Sequence, residues 1–289
     1  MQKWDVVKIK KLKFSLIMAT YGREKEVGEF LSKLKINDYP KEKIEVIIVD
    51  QNDKINLKPI IKKYKNDFKI IYIKSNVKGL ARNRNIGLSK ATGDIIAFPD
   101  DDCEYISDTL IKVNNYLNTS DSNIVMGRII ERDGSDSLRT WKKENFGVNK
   151  SNFYTSCSSV TMFFKKENTS LLFNENLGAG AKFGSCEDSD ILYRNLKANN
   201  KVLYKSDIKI YHPHYDSNEN MSREKIYSYG LGFGAFVKSN LDINTIMLFV
   251  KAQGYHMIKI LYYLLTFKFD KCKNSYISFI SRVNGLISY

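Results

Sequence analysis

Three consecutive carboxylates, Asp100, Asp101 and Asp102, follow directly on a short apolar run, Ile95 to Phe98, and Pro99. Adjacent negative charges repel, so a fold gathers them at a strand end only with a compensating cation or hydrogen bonds. In an open α/β sheet, ligands bind at the carboxyl ends of the strands. The triplet therefore fits a hard divalent cation, Mg2+ or Mn2+, held by one or two carboxylates and the oxygens of a phosphate ligand. An Asp-rich turn capping the next helix fits the same residues. Asp50 ends another apolar run, where it could accept hydrogen bonds from a nucleobase or ribose, or simply form a turn. Gly79 to Gly87 opens a helix whose backbone N–H groups and dipole favour a phosphate. Arg82 and Arg84 add charge there, although Arg84 by itself reads more simply as part of a solvated helix face. A second acidic pair, Glu187-Asp188, starts a later helix, where acids complement the dipole even without chemistry.

The elements that would position these groups come in a regular succession. Phe14 to Ala19 reads as a strand ending at Thr20-Tyr21-Gly22-Arg23, and Lys25 to Lys35 carries Val27, Phe30, Leu31 and Leu34 at helical spacing. Ile44 to Val49 is a second strand, Lys58 to Tyr64 a helix, Phe68 to Ile73 a third strand, and Ile95 to Phe98 a fourth. Strands joined by short helical crossovers predict a right-handed, doubly wound, mostly parallel half-sheet. Thr20 to Arg23, Asp50 and the Asp triplet then share one sheet edge. Further on, Asp108 to Leu117 reads as a helix, and Asn123 to Glu131 and Ser159 to Lys165 as strands. Arg132 to Ser151 reads as a polar loop. Glu187 to Asn199 is a helix with acids first and Lys197 late, and Lys201 to Tyr211 is the last strand, followed by His212-Pro213-His214.

From Ser222 the chain is helical and aromatic. Ile246 to Phe267 is its most apolar stretch, but Lys251, Gln253, His256 and Lys259 interrupt it, so it is not a clean membrane span. Two readings stand: helices packed on the main domain, or a helix lying in the bilayer interface, assisted by Lys268, Lys271 and Lys273. The expected organisation is a main domain over 1–216, split near 102 into a first part from about 13 and a second part from 103, and a helical C-terminal region over 217–289.

Hydrophobic residues make up 43% of the 289, as in a globular protein, and the net charge of +14 calls for an anionic partner. The lysines are spread along the chain, so nucleic acid is not singled out, and acids clustered at the ligand edge argue against it there. Four scattered cysteines without a CxxC pair argue against a disulfide framework and fit a reducing cytosol. No stretch reads as a secretory signal.

Thr20-Tyr-Gly-Arg23, Val49-Asp50, Gly79-Leu-Ala-Arg-Asn-Arg-Asn-Ile-Gly87, Phe98-Pro-Asp-Asp-Asp102, Phe183-Gly-Ser-Cys-Glu-Asp188 and His212-Pro-His214 together resemble the GT-A glycosyltransferases of family 2. The resemblance covers about residues 13 to 216. It implies a GT-A, Rossmann-like α/β fold with a helical C-terminal extension, and an enzyme that moves a sugar from a nucleoside-diphosphate donor. It implies that Asp100 and Asp102 form the DxD motif, with Asp102 contacting the metal directly, and that Asp50 meets the base. Thr20, Tyr21, Arg23, Gly79, Arg82 and Asp101 complete the nucleotide-sugar site. Of Glu187 and Asp188, one would be general base; Asp188 is assigned that role, with Glu187 orienting acceptor or metal. His212 and His214 lie where related enzymes supply a further metal or phosphate ligand, and either also reads as a structural histidine.

Two departures from the family pattern matter. Asp50-Gln51 replaces the commoner paired acids, which alters the base-side contacts. No Gln/Arg-x-x-Arg-Trp motif follows Glu187-Asp188, and no clean membrane span is present; both point to transfer of a single sugar rather than a processive synthase. The expectation is an inverting, metal-dependent transfer from a UDP-linked donor to a glycan or lipid-linked oligosaccharide in bacterial surface-polysaccharide assembly. The protein would then be cytoplasmic, with an anionic membrane surface at its C-terminal region. A nucleotidyltransferase acting on a sugar phosphate, and a non-catalytic basic membrane-surface module, are the competing readings.

Overall fold

The computed structural model describes residues 9–213 and 221–289. The strands are β1 (Phe14–Thr20), β2 (Ile44–Asp50), β3 (Lys69–Lys74), β4 (Ile95–Ala97), β5 (Glu104–Tyr105), β6 (Ile124–Ile130), β7 (Phe146–Val148), β8 (Met162–Lys165) and β9 (Val202–Tyr211). The α-helices are α1 (Lys25–Lys35), α2 (Lys58–Tyr64), α3 (Leu80–Leu88), α4 (Thr109–Thr119), α5 (Phe153–Ser156), α6 (Glu187–Lys197), α7 (Arg223–Ser239), α8 (Ile243–Leu265) and α9 (Phe269–Ser288).

β1 and β2 are apolar at nearly every position because both faces of the sheet are covered: all seven residues of each are buried. α1 buries Val27, Phe30, Leu31 and Leu34, as its spacing requires, with Glu26 in its first turn and Lys33 and Lys35 in its last. The nine strands form one sheet in the order β3-β2-β1-β4-β8-β6-β9-β5, with β7 paired on β9. β3, β2, β1 and β4 run parallel, as expected of a doubly wound half. Beyond β4 the sheet is mixed: β8 is antiparallel to both β4 and β6, and β6 is parallel to β9. Two core clusters lie on opposite faces of the sheet, one around Ile17, Ile47 and Phe98 and the other around Leu16, Val46 and Phe163.

The fourth strand stops at Ala97, one residue earlier than expected. The stretch read as a polar loop over 132–151 contains β7, and the strand expected from Ser159 begins only at Met162, after a single 3-10 turn. The apolar C-terminal stretch is a succession of helices: α7 seats Phe233, Phe236 and Val237 in the main core, and α8 adds Leu248, Phe249 and Ala252 to it. Asn240, at the end of α7, donates to the buried Asp190 carboxylate of α6 at 2.7 Å, which ties this region to the helix that carries Glu187 and Asp188.

Candidate active site

β1, β2 and β4 end side by side, so Thr20, Asp50 and the Asp triplet meet at one edge. Asp50 is fully buried. One carboxylate oxygen accepts from the Asn52 backbone N–H and side-chain amide at 2.8 Å; the other accepts from the Tyr72 hydroxyl at 2.6 Å and from Lys74 Nζ at 3.0 Å. Burial opposes this charge, but the hydrogen bonds from Tyr72, Asn52 and Lys74 outweigh it and hold the carboxyl below the usual carboxylate range. Asp50 thus organises Tyr72, Lys74 and Asn52. Gln51, its neighbour, accepts the Gly79 N–H at 2.9 Å and fixes the turn into α3.

The three carboxylates of the triplet face different ways. Asp101 accepts from Thr20 Oγ1 at 2.7 Å, and burial, helped by the charges of Asp102 and Asp100, pushes it up to about 7. Asp100 Oδ1 meets Arg84 Nη2 at 2.7 Å. Asp102 meets Arg23 Nη2 at 3.2 Å and His212 Nε2 at 3.2 Å, while the same His212 nitrogen is 3.9 Å from Asp100. Ligand atoms of Asp100, Asp102 and His212 all lie within 4.8 Å of one another. His212 Nδ1 lies 2.9 Å from the Pro213 carbonyl, so Nδ1 carries the hydrogen and Nε2 faces the two carboxylates. Burial lowers the His212 pKa, but Asp102 and then Asp100 more than offset it, and it ends above its ordinary value. Two oxygen donors and one imidazole nitrogen converging in this way suit Mn2+ or Mg2+. His214 lies outside the described residues.

Arg84 is not on a solvated helix face: it is 1% exposed. The physical reason is the seating of α3. A Cβ on Gly87 would lie 2.4 Å from Ile17 Cγ2, so this face of the helix presses directly on the sheet, and Ala81, Arg84 and Gly87 share it. The guanidinium lies 5.2 Å from the Phe173 ring centre, and Nη1 is 3.8 Å from Glu187 Oε1. Among the described residues neither Nε nor Nη1 has a hydrogen-bond partner. Arg82, expected from sequence to add charge at the phosphate, pairs at 3.0 Å with Glu175 and is about half exposed. It lines a cavity of about 200 Å3 with Lys78, Gly79, Gly180 and Lys182. Tyr21 is 60% exposed, with Lys78 Nζ 4.5 Å from its ring centre.

Glu187 and Asp188 open α6 behind Cys186, whose φ of 68° turns the chain into the helix. Gly178 makes room for them: its φ is +95°, and a Cβ there would lie 2.9 Å from Glu187 Cδ. Burial, then the charge of Asp188, raises Glu187 to about 7 against the pull of Arg84. Burial also raises Asp188, against the Ser189 N–H at 2.7 Å and the charges of Arg139 and Arg84. Sequence reasoning misses Arg139, which lies in the stretch read as loop; its Nη1 donates to the Tyr154 carbonyl at 3.3 Å, and nothing in its local sequence marks it. Arg84 does carry a signal, because Ala81, Arg84 and Leu88 at i, i+3 and i+7 share one helix face.

The arrangement puts three ligand-type side chains on one side of Arg84 and a pair of reluctantly ionised carboxylates on the other. Several known proteins are similar to this chain. TarS of Staphylococcus aureus strain Mu50, a poly(ribitol-phosphate) beta-N-acetylglucosaminyltransferase, is 26% identical over 217 residues, covering 73% of this chain and 37% of TarS. The chain therefore spans little more than a third of that relative. A GalNAc(5)-diNAcBac-PP-undecaprenol beta-1,3-glucosyltransferase of Campylobacter jejuni is 28% identical over 43% of this chain and 40% of its own length. In three dimensions, residues 1–349 of TarS in complex with UDP-GlcNAc superpose with a TM-score of 0.62 at 20% identity, covering 94% of this chain and 92% of that one. The mannosyltransferase PcManGT of Pyrobaculum calidifontis, in complex with GDP-Man and Mn2+, gives 0.61 at 15% identity over 99% and 90%. The fold is thus that of the GT-A glycosyltransferases. The model of the glycosyl transferase family 2 matches residues 15–183, more than half the sequence, and the chain belongs to that family.

Proposed function

We propose that this glycosyltransferase moves a single sugar, with inversion, from a nucleoside-diphosphate donor, UDP-linked, to a hydroxyl of a glycan or lipid-linked oligosaccharide in bacterial surface-polymer synthesis. The observation that carries the reading is the placement of Arg84 between Asp100 and Glu187. One buried cation links the acids suited to the leaving group with the acids suited to the attacking hydroxyl. In this reading residues 13–102 hold the donor, 103–216 supply the acceptor side, and 217–289 form a helical region at the inner face of the membrane.

Asp100, Asp102 and His212 would hold Mn2+ or Mg2+, which when bound neutralises the donor's pyrophosphate. The chain's own residues do the rest. Asp188 takes the proton of the acceptor hydroxyl as its oxygen bonds to the anomeric carbon. The bond from that carbon to the pyrophosphate oxygen breaks on the opposite side, and the nucleoside diphosphate leaves with the electron pair. Arg84, fixed by Asp100, offers Nε and Nη1 to charge developing between the two halves. Glu187 orients Arg84 and the acceptor. Asp50, Tyr72 and Lys74 form the base-side wall, Thr20 and Asp101 brace it, and Tyr21, Arg23, Gly79 and Arg82 border the donor. The β linkages in the names of the two bacterial relatives are those that inversion of an α-linked donor yields.

A panel of nucleotide sugars with Mn2+ tests the proposal. Release of a nucleoside diphosphate from one of them, abolished by a chelator, is expected. Pyrophosphate release from a nucleoside triphosphate and sugar phosphate would instead establish a nucleotidyltransferase.

A further inference from the structure

The two last helices leave an apolar face that nothing among the described residues covers. Along α8 only Thr245 and Gln253 are buried. Ile243, Met247, Val250, Met257, Leu261 and Leu264 follow a three-to-four-residue row, with Gly254 between Val250 and Met257, and are 67%, 49%, 62%, 54%, 61% and 47% exposed. A Cβ on Gly254, in the same row, would meet nothing within 4 Å. The exposure is greatest at the turn into α9, where Leu265, Phe267 and Phe269 are 79%, 78% and 64% exposed, and Ile258 within α8 is 69% exposed. A folded chain in water does not keep so continuous an apolar strip bare without a partner.

The charge around the strip selects that partner. Between Ile243 and Tyr289 stand Lys251, Lys259, Lys268, Lys271 and Lys273 against the single acid Asp270, five minus one, or +4, while Arg282 is drawn inward over the Phe233 ring. Lys259 Nζ lies 4.7 Å from the Tyr255 ring centre, and Lys268 Nζ 6.0 Å from that of Tyr262. Tyrosine and lysine side by side on the rim of an apolar face suit the level of lipid headgroups. Two copies meeting face to face would bring two +4 surfaces together, which argues against self-association. The strip is also wider than a coiled-coil seam, because Ile258 and Leu265 extend it beyond the row that starts at Ile243. Among the described residues no helix is long and apolar enough to cross a membrane.

We propose that the α8–α9 turn and the exposed row of α8 lie in the headgroup–acyl boundary of an anionic bilayer. Leu261, Leu265, Phe267 and Phe269 enter the acyl region, and Lys259, Lys268, Lys271 and Lys273 meet anionic headgroups. α9, 20 residues and so about 30 Å long, spans from this turn to Tyr289. Tyr289 accepts from Asn174 at 2.7 Å and packs 5.2 Å from the Phe183 ring, beside the loop that leads to Glu187. Docking at the turn therefore sets the height of the catalytic pair above the lipid. This deepens the lipid-linked acceptor reading and rests on it only for why a membrane is near. Docking is read without sugar transfer, so either can fail alone.

Flotation of the full chain with vesicles tests it, comparing phosphatidylcholine alone with phosphatidylcholine containing a quarter phosphatidylglycerol, while sedimentation reports oligomeric state. Binding to the anionic vesicles at least tenfold above the neutral ones, and weakened by salt, is expected. The double variant Leu261→Glu/Leu265→Glu should lose binding to both, with its far-UV dichroism and thermal midpoint unchanged because both side chains are exposed. Lys268→Glu/Lys271→Glu/Lys273→Glu should lose only the anionic preference. Equal binding by the leucine variant, or a wild-type dimer that the leucine variant dissolves without any vesicle binding, would overturn the proposal.

Discussion

Asp50 and the pair Glu187-Asp188 are acids at one ligand edge with opposite fates. Asp50 is surrounded by four donors within 3.0 Å and stays ionised below the ordinary range. Glu187 and Asp188 are pushed up, with one distant guanidinium contact and two bonds from Ser189, its N–H at 2.7 Å and its hydroxyl at 3.3 Å, as their visible relief. Glu45, at the far end of β2, matches Asp50: burial opposes it, yet Lys13, Ser15 and Thr92 hold it at about 2. The contrast separates acids that hold a fold from acids kept ready to change charge. Burial is common to all of them; the number of donors supplied decides the direction.

The largest break in that contrast is Asp188→Asn. It should lower turnover by about 10²–10⁴-fold, the usual worth of a general base, with nucleotide affinity unchanged by calorimetry. Its stability should move the other way. A carboxyl raised in the folded state contributes stability below its unfolded pKa and loses it as pH rises through the folded value. Thermal melts should therefore show the Asp188→Asn variant gaining on wild type as pH rises from the ordinary Asp value of 3.8 through the raised folded value.

Arg84→Lys comes next. An ammonium cannot meet Asp100 and Glu187 from one buried position, so kcat should fall about tenfold to a hundredfold while the fold persists. The pH profile of kcat/KM gives a smaller effect. Burial raises Asp188, the general base, so activity should fall about tenfold per pH unit on an acid limb that lies above the ordinary carboxylate range, and Glu187→Gln, which removes a neighbouring negative charge, should shift this limb to lower pH. Asp50→Asn is the smallest in activity terms. It strips charge from bonds to Tyr72 and Lys74 and should cost about 1–3 kcal/mol in denaturant melts at pH 7. Because the Asp50 pKa is lowered on folding, that difference should vanish as pH falls through its folded value.

Much of this arrangement is legible in the sequence. The parallel half announces itself through nearly continuous apolar runs ending at Thr20, Asp50 and Pro99, and α2 falls at the expected residues, 58–64. Glu187-Asp188 stands at a helix start as expected, because acids in a first turn carry their own signal. Mixed pairing beyond β4 is not legible, since β5 and β7 are two and three residues long and depend on distant β9 for their partners. Charge alone sends Arg84 to solvent, whereas the small Ala81 and Gly87 on its face are what draw it inward. The separate directions of Asp100, Asp101 and Asp102 follow from Thr20, Arg84, Arg23 and His212, contacts that local spacing does not encode.

The central claim is a divided site, with Asp102 serving the donor and Asp188 the acceptor. Calorimetric titration of UDP with Mn2+ into Asp102→Asn and Asp188→Asn tests it most directly. The account predicts that Asp188→Asn binds as wild type does and that Asp102→Asn loses the Mn2+-dependent part of the affinity. Equal binding by both variants, or loss in Asp188→Asn alone, would contradict it.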